Sequence, residues 1–153
     1  MPAPANATGR RGTRTGEPPD YGEAMASRVI RTAGLTWLTR AHEPGEPARH
    51  VAELSEEAGF AHTRANVWRY EPGAKGKRHR HPLQEETFVV LAGTLTMYLG
   101  EPPERHDVKL GDLIHVEPGT ALQTVNHGED DLLVYVYGTP PEDEHAELLE
   151  SAV

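Results

Sequence analysis

Two histidines one residue apart, His79 and His81, are followed after Pro82 by two carboxylates, Glu85 and Glu86. In an extended chain the side chains at i and i+2 point to the same face, so the two imidazoles can be presented to one metal ion. Pro82 removes a backbone donor and resets the register, which lets a carboxylate from the next strand join that face. Glu86 opens the β-branched and aromatic run Thr87-Phe88-Val89-Val90-Leu91 and is the carboxylate expected there. Taken without the glutamate, the same two histidines read equally well as part of a basic surface loop with Lys75, Lys77, Arg78 and Arg80. With it, the set is two histidines and one carboxylate, whose open coordination positions suit non-haem Fe(II) and O2 chemistry.

The segment Gly73 to Gly93 resembles the first motif of the cupin superfamily, G-x5-H-x-H-x3,4-E-x6-G, with Gly73, His79, His81, Glu86 and Gly93 at its fixed positions. Six residues separate Glu86 from Gly93, which selects Glu86 over Glu85 and leaves Glu85 as an outward, solvated neighbour. A second cupin motif, G-x5-P-x-G-x2-H-x3-N, resembles Gly111 to Asn126 with two departures: Glu117 stands at the proline and Leu122 at the histidine. The resemblance covers about residues 65 to 138. It implies an all-β double-stranded β-helix, a jelly-roll-like barrel, with a divalent metal (Fe, Mn, Ni or Zn) on His79, His81 and Glu86. It also implies that Leu122 occupies the place of a fourth protein ligand, and a leucine cannot bind a metal.

Four other residues are candidates to replace that ligand, and each has a structural explanation. Gln123 follows Leu122 and by alternation faces the other way; His127 lies in the polar turn His127-Gly-Glu-Asp-Asp; His62 precedes a strand that begins near Thr63. His115 shares a face with Leu113 and Glu117, whereas Ile114 and Val116 make the β-branched pair expected to face the core. Water is the most economical occupant of the open corner.

The elements that must carry these residues are short strands. Thr63–Glu71, Glu86–Leu91, Thr94–Leu99, His106–Leu110, Leu113–Glu117, Leu122–Asn126 and Leu132–Tyr137 are bounded by Gly, Pro and polar turns, the spacing of a sandwich or barrel. Glu86–Leu91 and Thr94–Leu99 are expected to form a hairpin about Ala92-Gly93, and His106–Leu110 an edge strand. Arg28–Arg31 is a shorter candidate and Leu35–Leu38 another apolar cluster, and residues 42 to 60, which alternate Pro and Gly with Val51-Ala-Glu-Leu54, are expected to be a loop with a short helix, of the kind that can serve as a lid. Trp68 and Tyr70 share one face of their strand, Tyr135 and Tyr137 share one of theirs, and Phe88 shares a face with Glu86. Such aromatics are most often core or interface, and Arg64, Arg69 and Tyr98 are read first as exterior contacts rather than anchors for an anion.

At 153 residues the chain holds one domain, expected as a flexible arm at 1–24, a barrel at 25–140 and a short helical tail at 141–153. The arm is rich in Pro, Gly, Ala and Thr and has little to bury. The tail opens on Pro140-Pro141 with acids in its first turn and then Ala146, Leu148 and Leu149, a helix pattern. There is no cysteine, so no disulfide framework and no thiolate chemistry. Absence of a long apolar run or a signal-like start makes a cytoplasmic protein with no membrane partner the expectation. The net charge of −9 argues against nucleic acid, which needs a basic surface. Two function classes follow: a metal-dependent enzyme of dioxygenase, isomerase or decarboxylase type acting on a small molecule, or a non-catalytic barrel that binds or senses a small ligand. A homodimer that covers the sheet edges is expected in either case.

Overall fold

The computed structural model describes residues 27–141 and 146–153. The flexible arm expected at 1–24 lies outside the described residues. Among those described, eleven strands form two antiparallel sheets. They are β1 Leu38–Thr39, β2 Arg49–Glu53, β3 Arg64–Tyr70, β4 His79–Arg80, β5 Glu85–Ala92, β6 Thr94–Leu99, β7 Glu104–Lys109, β8 Leu113–Val116, β9 Leu122–Val125, β10 Leu132–Thr139 and β11 Glu147–Leu148. One sheet has the order β1-β2-β3-β10-β5-β8 and the other β11-β4-β9-β6-β7. The architecture is the expected all-β jelly-roll barrel.

Alternation along the strands builds the interior. Phe88 and Val90 of β5, Leu95 and Met97 of β6, Leu122 of β9, and Leu132, Val134 and Val136 of β10 are buried between the sheets in one cluster. Fully burying side chains of this size contributes about 1.5–3 kcal/mol each before chain entropy is counted. A second cluster lies on the other face of the six-stranded sheet. There Ala52, Ala65 and Val67 are covered by Leu35, with Ile30 and Trp37 packed against them. The segment before β1 therefore works as a lid on the outer face.

Four local expectations are corrected. The chain does not fold back at Gly93: β5 pairs with β10 and β8, while β6 pairs with β7 and β9 in the other sheet. Gly93 is thus a corner between sheets, with φ +77° and space so tight that a Cβ would lie 3.1 Å from the Asp131 carbonyl oxygen. Within 42–60 the expected short helix is present as α1 at Ser55–Ala58, but Val51 to Glu53, read as loop or helix, lies in β2 and is paired along its length with β3. Pairing with β3 overrides the helical propensity of Ala52, Glu53 and Leu54. Arg28–Arg31 is not a strand, and a single 3-10 turn follows at Thr32–Gly34. In the tail, Glu147 and Leu148 form β11 against β4 instead of a helix. Arg80 explains it: its guanidinium donates to both carboxylate oxygens of Glu147, at 2.7 and 3.1 Å.

The tail is also tied down beyond β11. The Leu149 N–H donates to the Arg78 carbonyl, and the buried Gln123 side chain donates to Ser151 Oγ and accepts from the Ala152 N–H. No helix among the described residues is long and apolar enough to cross a membrane.

Candidate metal centre and its cavity

β4 is two residues long, and it delivers His79 and Arg80 beside β9, where His79 stands opposite Leu122. His81 follows as the chain leaves the strand. Glu86 enters from β5, in the other sheet, opposite Gly138 of β10 and Val116 of β8. Two sheets therefore converge on one point. One ligand atom from each of His79, His81 and Glu86 lies within 4.8 Å of the others. Glu86 Oε1 is 3.6 Å from His81 Nε2, and Glu86 Oε2 is 4.0 Å from His79 Nε2. Two donors on one ion lie about 3 to 4.2 Å apart when each bond is about 2.1 Å, so these separations fit a set sharing a single cation. All three are part-buried, with side-chain exposures of 24%, 13% and 13%.

The orientation of His79 is fixed from behind. Its Nδ1 lies 2.8 Å from the Lys77 carbonyl oxygen, a contact it can make only as the N–H donor. The Nε2 lone pair is then turned to the glutamate, the arrangement by which backbone carbonyls orient metal-ligating histidines. Burial pushes the His79 pKa down and the positive charge of Arg49 adds to this, against an opposing effect of the Lys77 hydrogen bond. Neutral imidazole, the form that binds metal, is favoured. Donor types, spacing and the neutral form of His79 suit a divalent ion.

The cluster opens on a cavity of about 530 Å³ between the sheets. Trp68 and Tyr70 of β3, Phe88 of β5, Leu122 of β9, and Val134 and Val136 of β10 form its apolar wall. Leu122 is 1% exposed and faces the same interior as His79, so the position of the missing fourth ligand is a hydrocarbon surface. Tyr70 turns its hydroxyl to Thr124 Oγ1 at 2.8 Å. Gln84 reaches over Gly138, where a Cβ would come within 2.6 Å of it, and donates to the Pro140 carbonyl.

None of the four replacement candidates lines this cavity. Gln123 faces the tail, its amide donating to the Gly76 carbonyl and to Ser151. His115 is exposed on the outer face, within 2.9 Å of Thr87 Oγ1 and 3.7 Å of Glu85, which confirms Glu85 as an outward residue. His127 lies against Tyr98, and the His62 carbonyl accepts from Thr139. Of the possible anion anchors, Arg69 pairs outside with Asp131 and stacks on Trp37, and Tyr98 is also outside. Arg64 lines the cavity, contrary to its reading as an exterior contact. Sequence reasoning missed Arg49 and Asn66 altogether. Alternation of Arg49 with Val51 was the available signal, and it has meaning only once β2 is known to be a strand.

Residues 66–138 match the family model described as a cupin domain. Auxin-binding protein 1 of Arabidopsis thaliana is 35% identical over 79 residues, a match spanning 47% of this chain and only 39% of that protein. Three solved structures share the fold at identities too low to carry more than the fold. A sugar phosphate isomerase from Silicibacter pomeroyi has 23% identity and a TM-score of 0.64, covering 74% of this chain and 76% of that one. A predicted oxalate decarboxylase from Thermotoga maritima has 21% identity and a TM-score of 0.66, covering 74% and 100%. The polyketide cyclase RemF from Streptomyces resistomycificus has 16% identity and a TM-score of 0.68, covering 82% and 88%. With the two sheets and the match over 66–138 in agreement, residues 66–138 form a cupin domain.

Proposed function

We propose that this cupin holds a divalent metal on His79, His81 and Glu86 and acts through it on a small molecule bound in the barrel cavity. The observation that carries this reading is the convergence of three ligand atoms within 4.8 Å from two different sheets, with His79 Nε2 aimed by the Lys77 carbonyl. Bound there, Fe, Mn, Ni or Zn supplies Lewis acidity toward a substrate oxygen. The chain's own residues do the rest: His79, His81 and Glu86 supply the ligand atoms, His79 being favoured in its neutral form, and the wall of Trp68, Phe88 and Leu122 shields the ligand from water. Isomerase, decarboxylase or dioxygenase chemistry on a small molecule fits such a site, and the named neighbours include an isomerase and a predicted decarboxylase.

A binding or sensor role is the second reading, favoured by one specific feature. Glu86 is the one carboxylate among the described residues lining the cavity, so a metal that takes it leaves no second acid for proton transfer. A homodimer is proposed for either reading, to be checked by sedimentation.

Titration of Co(II) into chelator-treated protein, read by visible absorption, tests the metal reading. Wild type is expected to saturate near about one equivalent, and His81→Ala to bind about tenfold more weakly or worse, since ligand number sets affinity. Equal affinity in the two proteins would overturn it.

A further inference from the structure

The chain carries 24 acidic against 15 basic residues, yet the described lining of the cavity beside His79, His81 and Glu86 has the opposite balance. Arg40, Arg49, Arg64 and Lys77 line it, against Glu86 as the one carboxylate among the described lining residues. Arg40 is neutralised by Glu53 at 3.0 Å. For Arg49, Arg64 and Lys77 no described carboxylate lies within ion-pair distance, whereas Arg69, Arg78, Arg80 and Arg105, which do not line the cavity, all have one. The guanidinium of Arg49 rests on aromatic faces, 5.5 Å from the Trp68 ring centre and 5.8 Å from that of Tyr70. Those contacts keep the group part-buried against the aromatic wall, and a guanidinium is a group that meets a planar anion by paired hydrogen bonds. A concave site lined by one sign of charge on low-dielectric walls concentrates ligands of the other sign. Beside the cations lie Trp68, Phe88, Leu122, Val134 and Val136, a surface for a ligand body with no polar atoms of its own to satisfy.

We propose that the cavity takes a small organic anion with a flat apolar body, whose anionic group is held by Arg49 with Lys77 and not by the metal. This deepens the small-molecule reading of the same cavity and shares its premise that the ligand enters between the sheets. The basicity of the cavity cannot be assigned to the metal ligands themselves, because histidine binds metal neutral and Glu86 is negative. A divalent ion there would make the site more positive still.

Trp68 lies in the cavity and Trp37 on the outer face of the sheet, so a full-length Trp37→Phe protein has one tryptophan that reports on the site. In that background, with EDTA present, Trp68 fluorescence is titrated with 2-naphthoate, 2-naphthyl phosphate and the neutral 2-naphthamide. At least one of the two anions is expected to bind about tenfold or more tightly than the amide, the size of effect of one hydrogen-bonded charge, and the tighter anion names the head group as carboxylate or phosphate. Arg49→Gln should lose about tenfold for that anion and less than about twofold for the amide. Lys77→Gln, on an exposed side chain, carries the test if Arg49→Gln does not fold, with a loss of about threefold expected for the anion alone. Equal binding of anion and amide, unchanged anion binding in the folded variants, or anion binding that needs added metal would each overturn the proposal. The last outcome would leave the metal centre standing, and anion binding by protein that takes up no Co(II) would remove the metal centre while upholding the anion site.

Discussion

Leu122 stands opposite His79 on the neighbouring strand, buried and facing the cavity. An imidazole at this position would join the same face as His79. Leu122→His is therefore expected to strengthen Co(II) binding by about tenfold or more, a change of the size that even outer-shell partners produce. It should cost about 1–3 kcal/mol of stability in the metal-free protein, because a polar ring replaces hydrocarbon. Parallel Co(II) titrations and urea melts check both, and equal or weaker metal binding would show that residue 122 does not face the ion. A second residue sets acid sensitivity. The Thr96 hydroxyl donates to Asp107 Oδ1 at 2.6 Å, and this bond, helped by Arg105, lowers the Asp107 pKa. A carboxylate with a lowered folded pKa adds stability that is present above its ordinary value of about 3.9 and is lost as pH falls through the folded value. Thr96→Val should cost about 1 kcal/mol at pH 7, discounted for the exposure of Asp107, and less below about pH 3. A cost that is the same at both pH values would assign it to packing. At this scale the cluster of His79, His81 and Glu86 was legible in the sequence because the three lie within eight residues, where strand alternation and one spacing decide which side chains meet. Arg49 was not legible, because its meeting with Trp68 and Tyr70 depends on which strand pairs with which.

Among the elements, type was easier to read than partnership. β3, β5, β6, β8, β9 and β10 were visible as alternating or β-branched runs with turn residues between them. Whether the chain returns to the same sheet after Gly93 was not visible, since a glycine at a positive φ serves a hairpin and a corner equally. The corner makes a specific demand. At Gly93 a side chain would meet both the left-handed backbone penalty and the backbone of Asp131 and Leu132, at 3.1 and 3.2 Å. Gly93→Ala is expected to destabilise the protein by about 2 kcal/mol or more, read as a lowered urea midpoint with unchanged slope. Wild-type stability in this variant would mean that the corner is not built as described. β2 and β11 were misread for a shared reason. Ala-Glu-Leu and Glu-Leu-Leu-Glu favour helix in isolation, and only tertiary pairing with β3 and β4 makes them strands. β11 shows how small the deciding contact can be, an exposed Arg80–Glu147 pair and backbone bonds at the strand that bears His79.

For the molecule as a whole, the chain is acidic on balance while its cavity is basic, and the two facts have one explanation if the barrel is a site for anions beside a metal. Charge counted along the sequence gave the first and hid the second, because the cavity draws its cations from β2, β3 and the segments before β2 and before β4. The strands β1 and β11 each form an edge of one of the two sheets, so that β2 and β4 are paired on both sides instead of standing as open edges. The enzymatic reading depends on the ion, whereas the anion site does not. Elemental analysis of the intact protein, expressed with iron, manganese, nickel and zinc supplied and compared with Glu86→Gln, tests this most directly. About one equivalent of a divalent metal in wild type, with a drop to under about a tenth in the variant, is the expected result. Less than about a tenth of an equivalent in wild type, or equal content in both proteins, would contradict it.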